Sequence, residues 1–169
     1  MKFRSFAAAV GLLVAGAVSA PSFAQQQSQF TAAELAKIKA DVRAAAEDYR
    51  RIFSARDTKG IVEKVWANPG ISLGANGVSV MTPDKVAAMY DGLFQSLAKT
   101  DYDHSVFKDP IVCVLTPTNA IMSGKFQRIN KDGTMLAELT ASYLYTKTLD
   151  GWRLVTILGG QPGKVVTCD

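Results

Sequence analysis

Proton-transfer chemistry in this sequence depends on the one histidine, His104, and on the carboxylate of Glu138. Strand alternation places Tyr102, His104 and Val106 on one face. If that face lines a hollow, a neutral imidazole could act as a base or hydrogen-bond a ligand. The favoured alternative is a histidine on the surface of a strand, close to a loop.

Glu138 lies in a strand-like segment whose other residues are apolar to neutral. On a buried face, desolvation would raise the pKa of its carboxyl, which could then serve as an acid or a base. The favoured alternative places Glu138 on the outer face with Thr140 and Ser142, which alternate in register with it. Tyr143 and Tyr145 then occupy the opposite face as core or pocket wall.

Other chemistry has little support in the sequence. A single His with scattered carboxylates has no metal-ligand spacing, the glycine-rich segments lack the Gly-Lys-Ser/Thr of a phosphate loop, and no Gly-x-Ser-x-Gly is present. We therefore expect no metal and no cofactor. Cys113 and Cys168 are the only cysteines. In an oxidising compartment we expect a disulfide between them, with two free thiols as the alternative, because sequence cannot show the distance between the Cα atoms.

The N-terminal segment resembles an export signal. Residues 1–24 contain two basic residues, an apolar run too short to span a bilayer comfortably, and the small residues Ser22 and Ala24 before a polar lead-in, residues 25–30. We expect cleavage after Ala24, a periplasmic or secreted protein, and no stable membrane insertion after cleavage. An uncleaved anchor is the alternative. Cleavage lowers the formal net charge from +4 to +2, and no one-signed run of charge suggests nucleic-acid binding.

Helical patterns occupy the first half of the chain. Thr31 and Glu34 have capping-box spacing, and apolar residues behind them recur at three- and four-residue steps to residue 53. Asp57 or Thr58 can cap a short second helix, and the segment 82–84, Thr-Pro-Asp, starts a third. Between these two helices, residues 71–73 and 78–80 flank an Asn-Gly turn and predict a hairpin.

Strand patterns occupy the second half, and we predict strands near residues 102–115, 119–130, 134–147 and 152–158 with short turns between them. Helices followed by strands indicate an α+β fold, with three helices covering one face of an antiparallel meander. A twisted sheet wrapped around helices leaves a conical hollow where small molecules bind. The candidate ligand-binding residues at this hollow are Tyr49, Trp66, Met89, Tyr90, Phe94 and His104.

The order of these elements resembles the nuclear transport factor 2-like superfamily, including SnoaL-like domains. The most specific stretch is residues 141–155, ASYLYTKTLDGWRLV, which is similar to the last hairpin of that family. The resemblance covers residues 31–160 and leaves a C-terminal tail, residues 161–169. It implies a curved sheet with a central pocket and a homodimer formed through the sheet.

The enzymes of this superfamily are matched poorly. The ketosteroid isomerase branch uses a carboxylate near the first hairpin, and residues 70–80 contain none. The dehydratase branch uses several histidines, and an epoxide-hydrolase arrangement would need Asp57, Arg128 and Glu138 to meet by coincidence. We therefore expect an exported module that binds a small apolar molecule or a partner. The alternative is a small isomerase, dehydratase or hydrolase for an apolar ring compound, using His104 with Glu138.

Overall fold

The computed structural model describes residues 30–74 and 77–168. The predicted export signal, residues 1–24, and all but Phe30 of the lead-in lie outside these residues, as does Asn76 of the hairpin turn. Within the described residues, no helix has the length and apolar character that crossing a bilayer requires.

Helix α1 comprises Ala32–Ser54 and begins at the predicted capping box. The Glu34 amide donates to the Thr31 hydroxyl (3.2 Å), and the Thr31 amide donates to the Glu34 carboxylate (2.8 Å). These bonds satisfy amide groups that have no partner within the helix. One face of α1 is buried against the sheet and the other helices, as its apolar spacing predicts: Val42, Ala46, Tyr49, Ile52 and Phe53.

The second helix is short and changes from α-helical to π-helical hydrogen bonding. Helix α2 is a single turn, Thr58–Gly60, in which the Asp57 carboxylate accepts a hydrogen bond from the Gly60 amide at 2.8 Å. It continues directly into a π-helical turn, Ile61–Val65. Helix α3 comprises Pro83–Leu97; proline occupies its first turn, but the Thr82 side chain makes no capping hydrogen bond.

Two antiparallel sheets follow the predicted order. The hairpin is formed by β1 and β2, and the larger sheet is a meander in the order β3-β4-β5-β6. The strands are β1 Gly70–Gly74, β2 Gly77–Met81, β3 Tyr102–Thr116, β4 Asn119–Asn130, β5 Met135–Thr148 and β6 Gly151–Gly159.

Strand β3 carries bulges that alternation alone does not predict. The pairing with β4 shifts between Tyr102 and His104 and again between Lys108 and Ile111. Gly124 lies under the second bulge, where an added Cβ would come 3.2 Å from Cα of Pro110. Each bulge changes which residues face the helices and adds local twist, which contributes to the curvature of the sheet.

Helices α1, α2 and α3 pack on one face of the meander, which we call the inner face, and enclose an aromatic and aliphatic core. Phe53 of α1 lies at its centre, with ring-centroid distances of 5.3 Å to Phe94 and 5.7 Å to Phe126. The predicted α+β class, with helices on one face of a curved antiparallel meander, is confirmed.

The C-terminal tail crosses the opposite, outer face of the sheet. The Gly163 amide donates to the Thr140 hydroxyl and the Val166 amide to the Ser123 hydroxyl, both at 3.0 Å. The expected disulfide between Cys113 and Cys168 is present, with Cα atoms 5.3 Å apart, and joins the end of the tail to β3. The tail is therefore anchored to three successive strands.

Candidate ligand-binding site

A cavity of about 410 Å³ lies between α1, α3 and the inner face of the meander. Tyr49 and Phe53 reach it from α1, and Met89, Tyr90 and Leu93 reach it from α3. Strands β4 to β6 and the start of the tail complete the wall with Phe126, Arg128, Glu138, Leu139, Thr140, Ala141, Tyr143, Ile157, Gly159, Gly160 and Pro162. Most of this lining is apolar or aromatic, which is typical of a small-molecule site.

A chain of hydrogen bonds ends at the cavity wall. The indole Nε1 of Trp66 donates to the Tyr90 hydroxyl at 3.2 Å, and the Tyr90 hydroxyl donates to the Tyr49 hydroxyl at 3.1 Å. An indole N–H can only donate, which fixes the direction of the first bond, and the Tyr90 hydroxyl then has its own hydrogen for the bond to Tyr49. The Tyr49 hydroxyl therefore keeps its own hydrogen for another acceptor, and no described residue supplies one.

Burial perturbs the tyrosines of this region. It raises the pKa of Tyr49 well above the usual value of 10.0, and burial is also the main cause of a raised pKa at Tyr90. The pKa of Tyr143 is raised by burial as well, although the positive charge of Arg128 opposes that shift. These hydroxyls are therefore neutral near pH 7, and the cavity offers hydrogen-bond donors rather than anionic bases.

Arg128 is the cation of the cavity. It extends from the inner face of β4, where it is paired between Ser105 of β3 and Ala137 of β5. Its guanidinium carbon lies 5.9 Å from the centre of the Phe53 ring. The Nε atom is shielded from solvent and has no hydrogen-bond partner among the described residues.

The structure places His104 on the outer face, away from the cavity. The expectation that Tyr102 and His104 share a face is wrong, because the bulge between them turns Tyr102 and Ser105 inward. The Tyr102 hydroxyl and Ser105 Oγ lie 2.8 Å apart in the core. The exposed fraction of the His104 side chain is 43%, and its Nδ1 lies 2.8 Å from a carboxylate oxygen of Asp103.

Glu138 borders the cavity, but its carboxylate is held on the outer face. It accepts a hydrogen bond from the Gln127 amide at 2.7 Å and pairs with the Lys125 ammonium at 3.0 Å. These partners lower the pKa of Glu138, whereas a carboxyl buried in an apolar wall would have a raised pKa. The carboxylate is thus ionised and already paired.

The helical candidates divide into two groups. Tyr49, Met89 and Tyr90 line the cavity. Trp66 is connected to it through the Tyr90 hydroxyl, and Phe94 packs behind it, 5.8 Å from the Tyr90 ring. Arg128 was not among the residues predicted to bind a ligand, although it lies two residues from the apolar Phe126 and therefore on the same face of the strand.

Three other depressions have a more polar lining than this cavity. Their volumes are about 340, 280 and 490 Å³, and at least three charged side chains line each of them. Among residues 30–74 and 77–168, no group of three or more His, Cys, Asp or Glu side chains could hold a metal ion. The helix–sheet cavity is therefore the best candidate for binding a small, largely apolar molecule.

A helical wall packed on a curved meander around such a cavity defines the nuclear transport factor 2-like class of fold. The model of a family described as NTF2-like protein (DUF6841) matches residues 39–162. The chain belongs to this NTF2-like family. No curated protein matches it.

Solved structures show the same fold at low sequence identity. An NTF2-like protein with a cystatin-like fold from Novosphingobium aromaticivorans is 15% identical, with a TM-score of 0.62 over 84% of this chain and 91% of that chain. The protein Aln2 from a Streptomyces species is 11% identical, with a TM-score of 0.60 over 74% and 91%. An NTF2-like superfamily protein from Salmonella enterica is 15% identical, with a TM-score of 0.55 over 77% and 94%. These similarities concern the fold alone.

Proposed function

We propose that the protein is an exported binding module that holds a small, largely apolar molecule in the helix–sheet cavity. The observation that carries this proposal is the cavity itself, about 410 Å³ and lined mainly by aromatic and aliphatic side chains. That volume lies in the range of roughly 300–1,000 Å³ typical of small-molecule sites. The phenolic and guanidinium donors in the wall would orient the polar end of the ligand.

Export is supported by the Cys113–Cys168 disulfide, because such bonds form and persist in oxidising compartments. The pattern of basic, apolar and small residues in segment 1–24 agrees with it. The homodimer implied by the family resemblance remains a proposal, and a mass measurement of the intact protein would report it together with any bound molecule.

The proposal does not extend to catalysis by His104 and Glu138. The imidazole lies beside Asp103 on the outer face, and the Glu138 carboxylate is engaged by Lys125 and Gln127. A base must come within hydrogen-bond reach of the proton that it removes. Among the described residues, neither the His104 imidazole nor the Glu138 carboxylate is directed at a ligand in the cavity.

The test combines native mass spectrometry with a cavity-filling substitution. The full chain is produced in a bacterial host, purified from the periplasm, and examined for a retained small molecule and for binding of the neutral probe 2-naphthamide. Ala141 is buried in the cavity wall. Ala141→Leu should weaken probe binding about tenfold or more, because the added methyl groups occupy the space that the ligand needs.

The matched control is Ala33→Leu on the exposed surface of α1, which should bind the probe as the wild type does. Circular dichroism checks that both variants are folded. If wild type retains no molecule and does not bind the probe, or if Ala141→Leu binds as tightly as wild type, the cavity is not the binding site.

A further inference from the structure

The charge distribution of the cavity is uneven, and this inference, which rests on the proposed function, concerns the chemistry of the ligand. The wall contains two charged side chains, Arg128 and Glu138. The Glu138 carboxylate is neutralised by Lys125 on the outer face, at 3.0 Å. No carboxylate of the described residues lies within ion-pair distance of Arg128, so the cavity has a net positive wall.

Arg128 is half-buried in an apolar wall, and any N–H donor of its guanidinium that is removed from water needs another hydrogen-bond partner. The Phe53 ring, 5.9 Å from the guanidinium carbon, supplies an attraction between a cation and an aromatic face. That contact provides no hydrogen-bond acceptor, and Nε stays shielded and unpaired within the described residues.

A second donor is available in the same cavity. The Tyr49 hydroxyl accepts from Tyr90 and has its own hydrogen left to donate. Tyr143 lines the same wall, and the positive charge of Arg128 opposes the rise in its pKa that burial causes. The polar atoms that face the ligand are thus a cation and neutral hydroxyl donors.

We infer that the natural ligand is a small carboxylic acid with an apolar body, whose carboxylate pairs with Arg128 while its body fills the aromatic part of the cavity. The planar guanidinium matches a carboxylate in geometry and binds it through two parallel hydrogen bonds where access allows. Such a ligand supplies the acceptor that Nε of Arg128 lacks and neutralises the positive wall.

The test compares two probes of the same shape, 2-naphthoate and neutral 2-naphthamide, by isothermal titration calorimetry at pH 7. Wild type should bind the acid about tenfold or more tightly than the amide, since hydrogen bonds to charged groups are stronger than neutral ones. Arg128→Met should abolish that preference, and Arg128→Lys should retain part of it because the charge remains.

The matched control is Lys108→Met, which removes an exposed cation from the outer face of β3, keeps the pair between Lys125 and Glu138, and should leave the preference unchanged. Equal binding of acid and amide by wild type overturns the inference but leaves the proposed function standing. A preference for the acid that survives in Arg128→Met also overturns it, because another group must then bind the carboxylate. Failure of wild type to bind either probe overturns the inference, and it also overturns the proposed function if the purified protein retains no small molecule.

Discussion

Removing the middle hydroxyl of the Trp66–Tyr90–Tyr49 chain should destabilise the protein more than removing the last one. Tyr90→Phe eliminates both hydrogen bonds, at 3.2 and 3.1 Å, and leaves the indole N–H of Trp66 without an acceptor. Tyr49→Phe eliminates the second bond alone. Both substitutions keep the aromatic ring, so packing changes little.

The size of the effect follows from the number of bonds and from burial. The exposed fractions of Trp66, Tyr90 and Tyr49 are 5%, 1% and 4%, so water has little access to the groups that lose a partner. A net buried hydrogen bond contributes about 1 kcal/mol, and an unsatisfied buried donor costs roughly 1–3 kcal/mol. Tyr49→Phe also leaves a buried donor, the Tyr90 hydroxyl, without an acceptor. We expect Tyr90→Phe to lower the free energy of unfolding by about 2–4 kcal/mol and Tyr49→Phe by about 1–3 kcal/mol, with a difference of about 1 kcal/mol between them for the additional bond.

Urea unfolding of the two single variants and the double variant measures the coupling. Because Tyr90→Phe already removes the bond to Tyr49, the double variant should cost little more than Tyr90→Phe alone, so the coupling energy should match the loss caused by Tyr49→Phe. Tyr102→Phe is the matched control: it breaks a separate buried contact with Ser105 and should add to either substitution. Equal losses from the two single variants, with full additivity, would refute the directed chain.

Two further outcomes concern the tail and the buried tyrosines. Cys168→Ser should lower the free energy of unfolding by about 2–4 kcal/mol, because the disulfide closes a long loop, with a sequence separation of 55. Wild type treated with reductant should have the same stability as the variant in urea titrations, and a difference between them would contradict this explanation. Burial raises the pKa of Tyr49, Tyr143 and Tyr145 above the usual 10.0, so the folded state retains protons that the unfolded state releases. The contribution of these tyrosines to the free energy of unfolding is fully present below pH 10 and declines as the pH rises toward their folded-state pKa values, by about 2–3 kcal/mol at pH 10.5. Urea titrations that give equal stability at pH 9 and pH 10.5 would exclude this contribution.

The elements were predictable because their signals are local. The capping box at Thr31 and Glu34 and the cap at Asp57 each depend on residues three positions apart. Strand β4 begins and ends at the predicted residues, since turn-forming residues flank an apolar run. The π-helical turn Ile61–Val65 had no such signal, because its sequence fits an ordinary helix equally well.

The prediction of which β3 side chains face the helices was wrong where the pairing register of the strand changes. Tyr102 is fully buried and His104 is on the outer face, although they are two residues apart. A bulge depends on both strands and on what packs against them, so it cannot be derived from the periodicity of one strand. The second bulge packs tightly on Gly124 of the neighbouring strand, where an added Cβ would come 3.2 Å from Cα of Pro110.

Arg128 illustrates which part of the site was accessible from sequence. No bulge interrupts β4 between Met122 and Arg128 in its pairing with β5, so Met122, Phe126 and Arg128 keep one phase and all face the helices. A cation in phase with buried apolar residues lies in the core or lines a cavity, and burial without a partner is costly. The sequence does not show that no carboxylate lies opposite Arg128 in the folded protein. Arg128 has no such partner because Glu138 faces outward and pairs with Lys125, and this orientation follows from the register of β4 and β5, not from either strand alone.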